Sequence, residues 1–272
     1  MDKQRLQAPR TAAALLFAQV FLSLLAGTVG GYLGRIIYML SFLIPILLFT
    51  LFLPKMGFFP AVRPTRVGFL RILPLLPIFL VAVILTATAT SATMDLLGME
   101  TTGGSAEGAG FFSDLFTDCV FPALLEEGLM RFAVLSLLLL WSDRHAVWVS
   151  ALLFALLHAS LYQLPYAFVG GLLLGLAAVW GGSPLFAVLF HFLSNLLSLF
   201  LQYSVIWFGA TASTAITLSV MGVLFALAAW GAILLLRRSH TAPKDAAPTD
   251  WRVLLLSPLS LWGLLMLILT VL

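Results

Sequence analysis

Charge is what this chain has least of: Asp, Glu, Lys and Arg make up 9% of its 272 residues, against 62% hydrophobic residues and a mean hydropathy of +1.11. A soluble domain carries about one quarter charged residues, so the composition excludes that class and points to an integral membrane protein. Cysteine is almost missing too. Cys119 stands alone, which excludes an internal disulfide and any cysteine-based zinc site. Strand-type alternation is lacking as well. The apolar runs are continuous, which excludes a lipid-facing β-barrel and leaves an all-α, polytopic transmembrane helical bundle.

What is present is a succession of apolar runs. About 20 residues at 1.5 Å each cross a hydrocarbon layer of about 30 Å. The chain offers eight to nine such spans, expected near 12–33, 36–54, 72–93, 114–141, 146–161, 165–182, 185–207, 214–236 and 253–272. Little length remains beyond them, so 1–272 reads as one membrane domain. A core segment is placed at about 111–236, followed by a polar linker at 237–252 and an additional C-terminal span at 253–272. SDRH (142–145) and GGSP (181–184) read as tight turns between helices. The net charge of +3 follows topology rather than a nucleic-acid partner. With the N terminus in the cytoplasm, 12 of the 14 Lys and Arg residues fall on that side, Arg35 and Arg131 being the exceptions. The stretch 94–110, with Asp95, Glu100 and Glu107 and no basic residue, then lies outside.

An ionisable side chain at membrane depth costs roughly 2.5–3.5 kcal/mol on insertion scales, so each one is a functional hypothesis. Span four holds Glu126, Glu127 and Arg131, span five holds His158, and span seven holds His191 and Asn195. Asp114 and Asp118, near the outer end of span four, read as interfacial. Glu127 and Arg131 are four residues apart and share a helix face, with the acid on the favoured N-terminal side. Glu126 is rotated about 100° from Glu127 and faces elsewhere. A desolvated carboxylate near a cation suits a general base. Asn and neutral His are donors for a developing oxyanion, and His also binds metals and carries protons. Phe154 lies on the His158 face and reads as packing. Taken singly, the Glu127–Arg131 pair, each histidine and Asn195 read equally well as helix-packing contacts. Their coincidence on three helices points to one wet cavity between spans four, five and seven. Among intramembrane hydrolase signatures, HExxH, GxGD and a rhomboid-type GxSG pattern are absent.

The motifs EExxxR (Glu126, Glu127, Arg131), FxxxH (Phe154, His158) and HxxxN (His191, Asn195), in that order, resemble the CAAX protease and bacteriocin-processing family, also called CPBP or Abi. The resemblance spans about 126–195 and implies an intramembrane endopeptidase with about eight spans and a site open to the membrane and cytosol. It implies Glu126 as the base that activates water, assisted by His158, with His191 and Asn195 as the oxyanion hole and Glu127, Arg131 and Phe154 in support. The family has been described as metal-free and as zinc-dependent. The expectation is no cofactor, with zinc on Glu126, His158 and His191 as the alternative. The expected partners are a membrane-associated protein or peptide substrate and the lipid bilayer. The expected location is a bacterial inner membrane. Two other classes stay open: an ion-coupled transporter, for which Gly170-Gly171 is the suggestive helix interruption, and a non-catalytic immunity or scaffold protein.

Overall fold

A computed structural model describes residues 3–52, 69–99, 110–142, 145–237 and 249–271. Every regular element among them is helical. Helix α1 (Lys3–Val29) turns into α2 (Gly31–Phe52) through Gly30 and Gly31, whose φ angles of +65° and +57° suit glycine. A short α3 (Phe69–Ile72) precedes α4 (Leu75–Leu96). One helical rod then covers 111–141: α5 (Phe111–Asp114), a π-helical stretch Leu115–Val120, α6 (Phe121–Glu127), a second π-helical stretch Gly128–Val134, and α7 (Leu135–Trp141). After it come α8 (Ala146–Leu157), α9 (Leu164–Gly181), α10 (Pro184–Leu236), α11 (Trp251–Leu255) and α12 (Pro258–Val271).

The expected punctuation has physical causes. At GGSP, Gly182 takes a left-handed conformation and the Ser183 N–H donates to the Ala178 carbonyl, which ends α9. The Ser183 hydroxyl then accepts from the Leu185 N–H and Pro184 opens α10. Gly209 (φ 78°, ψ 165°) breaks α10 between the two spans expected at 185–207 and 214–236. The halves fold back on each other: the Ser204 and Ser213 hydroxyls bond at 2.5 Å, and Val220 and Leu224 line one hollow with Leu193, Leu196, Leu197 and Phe200.

Five helices among the described residues are long and apolar enough to cross a membrane: α1, α2, α4, α9 and α10. Span five is shorter than expected. Helix α8 has 12 residues, about 18 Å at the α-helical rise, and stops because Ala159 adopts a positive φ of 45° directly after His158. The expected ninth span is divided by Leu256 and Ser257 into α11 and the 14-residue α12. Most of the 237–252 linker lies outside the described residues. Its end is tied to the bundle: the Trp141 indole donates to the Asp250 carbonyl at 3.1 Å, and Thr249 bonds both Ser142 and His145. Helix α12 buries Trp262 completely, together with Leu259 and Met266.

Gly170 and Gly171 do not interrupt a helix. Helix α9 runs continuously through them and packs closely on α8: a Cβ at Gly171 would lie 3.1 Å from the Ala151 Cα and 3.2 Å from the Phe154 ring. Gly171→Ala is therefore expected to overpack this contact and lower stability by about 1–3 kcal/mol. Denaturant titration of the detergent-solubilised chain checks it.

Candidate active site

Three separate helical segments carry the motif residues to one place. The rod supplies Glu126, Glu127 and Arg131, the C-terminal end of α8 supplies Phe154 and His158, and the first half of α10 supplies His191 and Asn195. Glu126, Phe154, His158, His191 and Asn195 line a cavity of about 330 Å³. Glu127 and Arg131 lie behind it, fully buried.

The buried pair is more than a pair. The Arg131 Nε lies 3.0 Å from one Glu127 oxygen, although the N–H is not well aimed at it, while the other oxygen is 2.9 Å from the His191 Nδ1. Arg131 also donates from Nη2 to the Gly171 carbonyl at 3.2 Å, and its guanidinium carbon sits 4.4 Å from the centre of the Phe154 ring. Nη1 has no hydrogen-bond partner among the described residues. Phe154 in turn meets both imidazoles edge-to-face, with ring centres 4.9 Å from His158 and 6.0 Å from His191. The side chain read from sequence as packing is the ring against which the arginine and both histidines pack.

Tautomers follow from the acceptors. The His158 Nδ1 is 2.9 Å from the Phe154 carbonyl, which can only accept, so Nδ1 carries a proton and Nε2 faces the cavity. The His191 Nδ1 faces the Glu127 carboxylate, with the same consequence. A neutral His191 therefore offers a lone pair at Nε2, not a donor. Donation to an oxyanion from Nε2 would require the doubly protonated ring.

Glu126 points away from this group, as the helical rotation from Glu127 predicts. Its Oε2 lies 3.9 Å from the His158 Nε2, beyond a direct bond, and has no hydrogen-bond partner among the described residues. Asn195 donates from Nδ2 to the Asp118 carbonyl at 2.9 Å. The second Nδ2 hydrogen of Asn195 is left for a ligand.

Zinc on Glu126, His158 and His191 would use the two Nε2 atoms, but among the described residues no three His, Cys, Asp or Glu side chains are gathered as a metal-ligand set. Metal analysis of the purified chain tests that alternative. Asp118, read from sequence as interfacial, also lines the cavity, as do Gln163, Tyr166 and Ser194, which were not singled out from sequence. Asp118 had a readable signal, because 114, 118, 122 and 126 repeat every four residues on one face of the rod. Gln163 and Tyr166 had none, since their position depends on where α8 stops.

Residues 108–197 match the family model described as type II CAAX prenyl endopeptidase Rce1-like. The match covers about a third of the chain and contains all seven motif residues. It agrees with the resemblance read from EExxxR, FxxxH and HxxxN, and with the long apolar helices it supports a membrane protease. No curated protein and no solved structure matches the chain.

Proposed function

We propose that this chain is an intramembrane endopeptidase that hydrolyses a peptide bond of a membrane-associated protein or peptide with a water activated by Glu126. The observation that carries the reading is the pair of side chains lining the cavity, Glu126 and His158, whose Oε2 and Nε2 atoms lie 3.9 Å apart. One water donates a hydrogen to each and presents its lone pair to a scissile carbonyl. As the water oxygen bonds to the carbonyl carbon, its proton passes to Glu126. The negative charge that develops on the carbonyl oxygen meets the free Asn195 N–H and the His191 imidazolium across the same cavity. Collapse breaks the C–N bond, and Glu126 gives its proton to the departing amine. Glu127, Arg131 and Phe154 hold the histidines in place and do not touch the reacting atoms.

The test compares protein C-termini in membranes carrying the native chain or the Glu126→Gln chain. C-termini found only with the native chain are expected. Identical sets would overturn the hydrolase reading in favour of a carrier. In a peptide assay, Asn195→Ala is expected to lower kcat by about 10²–10³ with little change in KM, the signature of a donor used in the transition state. A change confined to KM would instead assign Asn195 to substrate docking.

A further inference from the structure

We infer that the cavity takes its substrate from the end of the bundle opposite the N terminus, so that the substrate class is polypeptide presented on the non-cytoplasmic face. The word substrate rests on the proposed protease reading; the route itself does not. Two ends of the bundle are defined by contacts. At one end lie the start of α1, the Trp141–Asp250 contact, Gly182, and Gly231 packed against Pro74. At the other lie the α1–α2 turn, the end of α4, Gly110, and Gly209 beside the Tyr203–Asp114 hydrogen bond.

From Glu126 toward the first end the packing is closed. Met130, Arg131, Val134, Ala187 and Phe190 are fully buried among the described residues. The Arg131 guanidinium, the Phe154 ring and the Gly171 carbonyl complete that floor. Toward the second end the packing opens. Asp118 lines the catalytic cavity and also a polar hollow of about 720 Å³ formed by the α1–α2 turn and residues 113–118. Tyr38 lines that same hollow with Ser23, Arg35, Asp114 and Thr117. The turn 158–163, which carries Gln163, follows a helix of 12 residues and so sits below the second end. Irregular backbone at membrane depth is tolerated where it lines a wet cavity.

Charge then gives the two ends their sides. Lys3, Arg5, Arg10, Arg237 and Arg252 lie at the closed end, whereas the open hollow holds Arg35 with Asp114 and Asp118. By the positive-inside rule the closed end is cytoplasmic. Water and an extended peptide reach Glu126 from outside, past Asp118. The resemblance implies access from the cytosol; the packing places it on the other side.

The test is thiol labelling in a Cys119→Ala background. Gln163→Cys and Ser194→Cys report on the cavity, Leu96→Cys on the open end and Leu236→Cys on the closed end, both leucines being strongly exposed. Each variant is treated with a small, charged, membrane-impermeant thiosulfonate in right-side-out and in inverted vesicles. The two cavity cysteines and Leu96→Cys are expected to react in right-side-out vesicles and to lose labelling in inverted ones, with Leu236→Cys doing the reverse. Cavity labelling together with Leu236→Cys, or in neither preparation, overturns the route. Labelling of Leu96→Cys in inverted vesicles overturns the sidedness. None of these readouts needs proteolysis, so failure of the route and failure of the protease reading are told apart.

Discussion

The Glu126→Gln chain is expected to lose peptide hydrolysis by at least about 10²–10⁴, the usual contribution of a positioned general base, and adding His158→Ala is expected to cost nothing more. In the proposed mechanism both acceptors hold the same water, since they lie 3.9 Å apart and neither is engaged by another side chain. Groups that act as a unit are not additive. His158→Ala alone leaves the carboxylate and is expected to retain more activity than Glu126→Gln. Side-chain volume changes little in Glu126→Gln, and Glu126 is partly exposed to the cavity, so the thermal midpoint of the purified protein should stay close to native. Single-turnover cleavage of a peptide substrate checks the rates. Equal, additive losses from the two substitutions would mean that Glu126 and His158 act in separate steps.

The second large effect falls on stability. Arg131→Met is expected to cost about 3–5 kcal/mol, because it strands the Glu127 carboxylate in a fully buried place. Glu127→Leu strands Arg131 in the same way. The double variant Arg131→Met/Glu127→Leu removes both charges and is expected to recover most of that stability, since a packed apolar pair avoids the desolvation of two ions. Activity is expected to stay lost in the double variant. His191 would have no carboxylate at Nδ1 to orient it. Denaturant titration together with kcat measures the split, and recovery of both would make the pair a structural brace with no bearing on His191.

The spacing of Glu127 and Arg131 was enough to predict their pairing, because residues four apart on a helix meet whichever helices surround them. The different directions of Glu126 and Glu127 were legible for the same reason. Local punctuation was legible too: GGSP ends one helix and starts the next through its own hydrogen bonds. What lay beyond reach were contacts between residues distant in the chain. That Glu127 serves His191, 64 residues away, depends on how α10 is seated against the rod. The role of Phe154 as the surface under Arg131, His158 and His191 has the same origin. So does the close approach of α8 and α9 at Gly171, where sequence suggested a broken helix.

By itself, then, the sequence determined a helical membrane protein, the order of its apolar segments, the charge asymmetry of its ends and the three motifs that match a CAAX prenyl endopeptidase family over residues 108–197. These are properties of composition and short spacing, which act through helix periodicity and the cost of charge in lipid. The tertiary structure decided the rest. It set the two π-helical stretches in the rod, the early stop of α8, the partners of the two histidines, and the close packing of α8 on α9. Each depends on which buried donors find acceptors, and on which helices leave space between them, once all the segments are packed together.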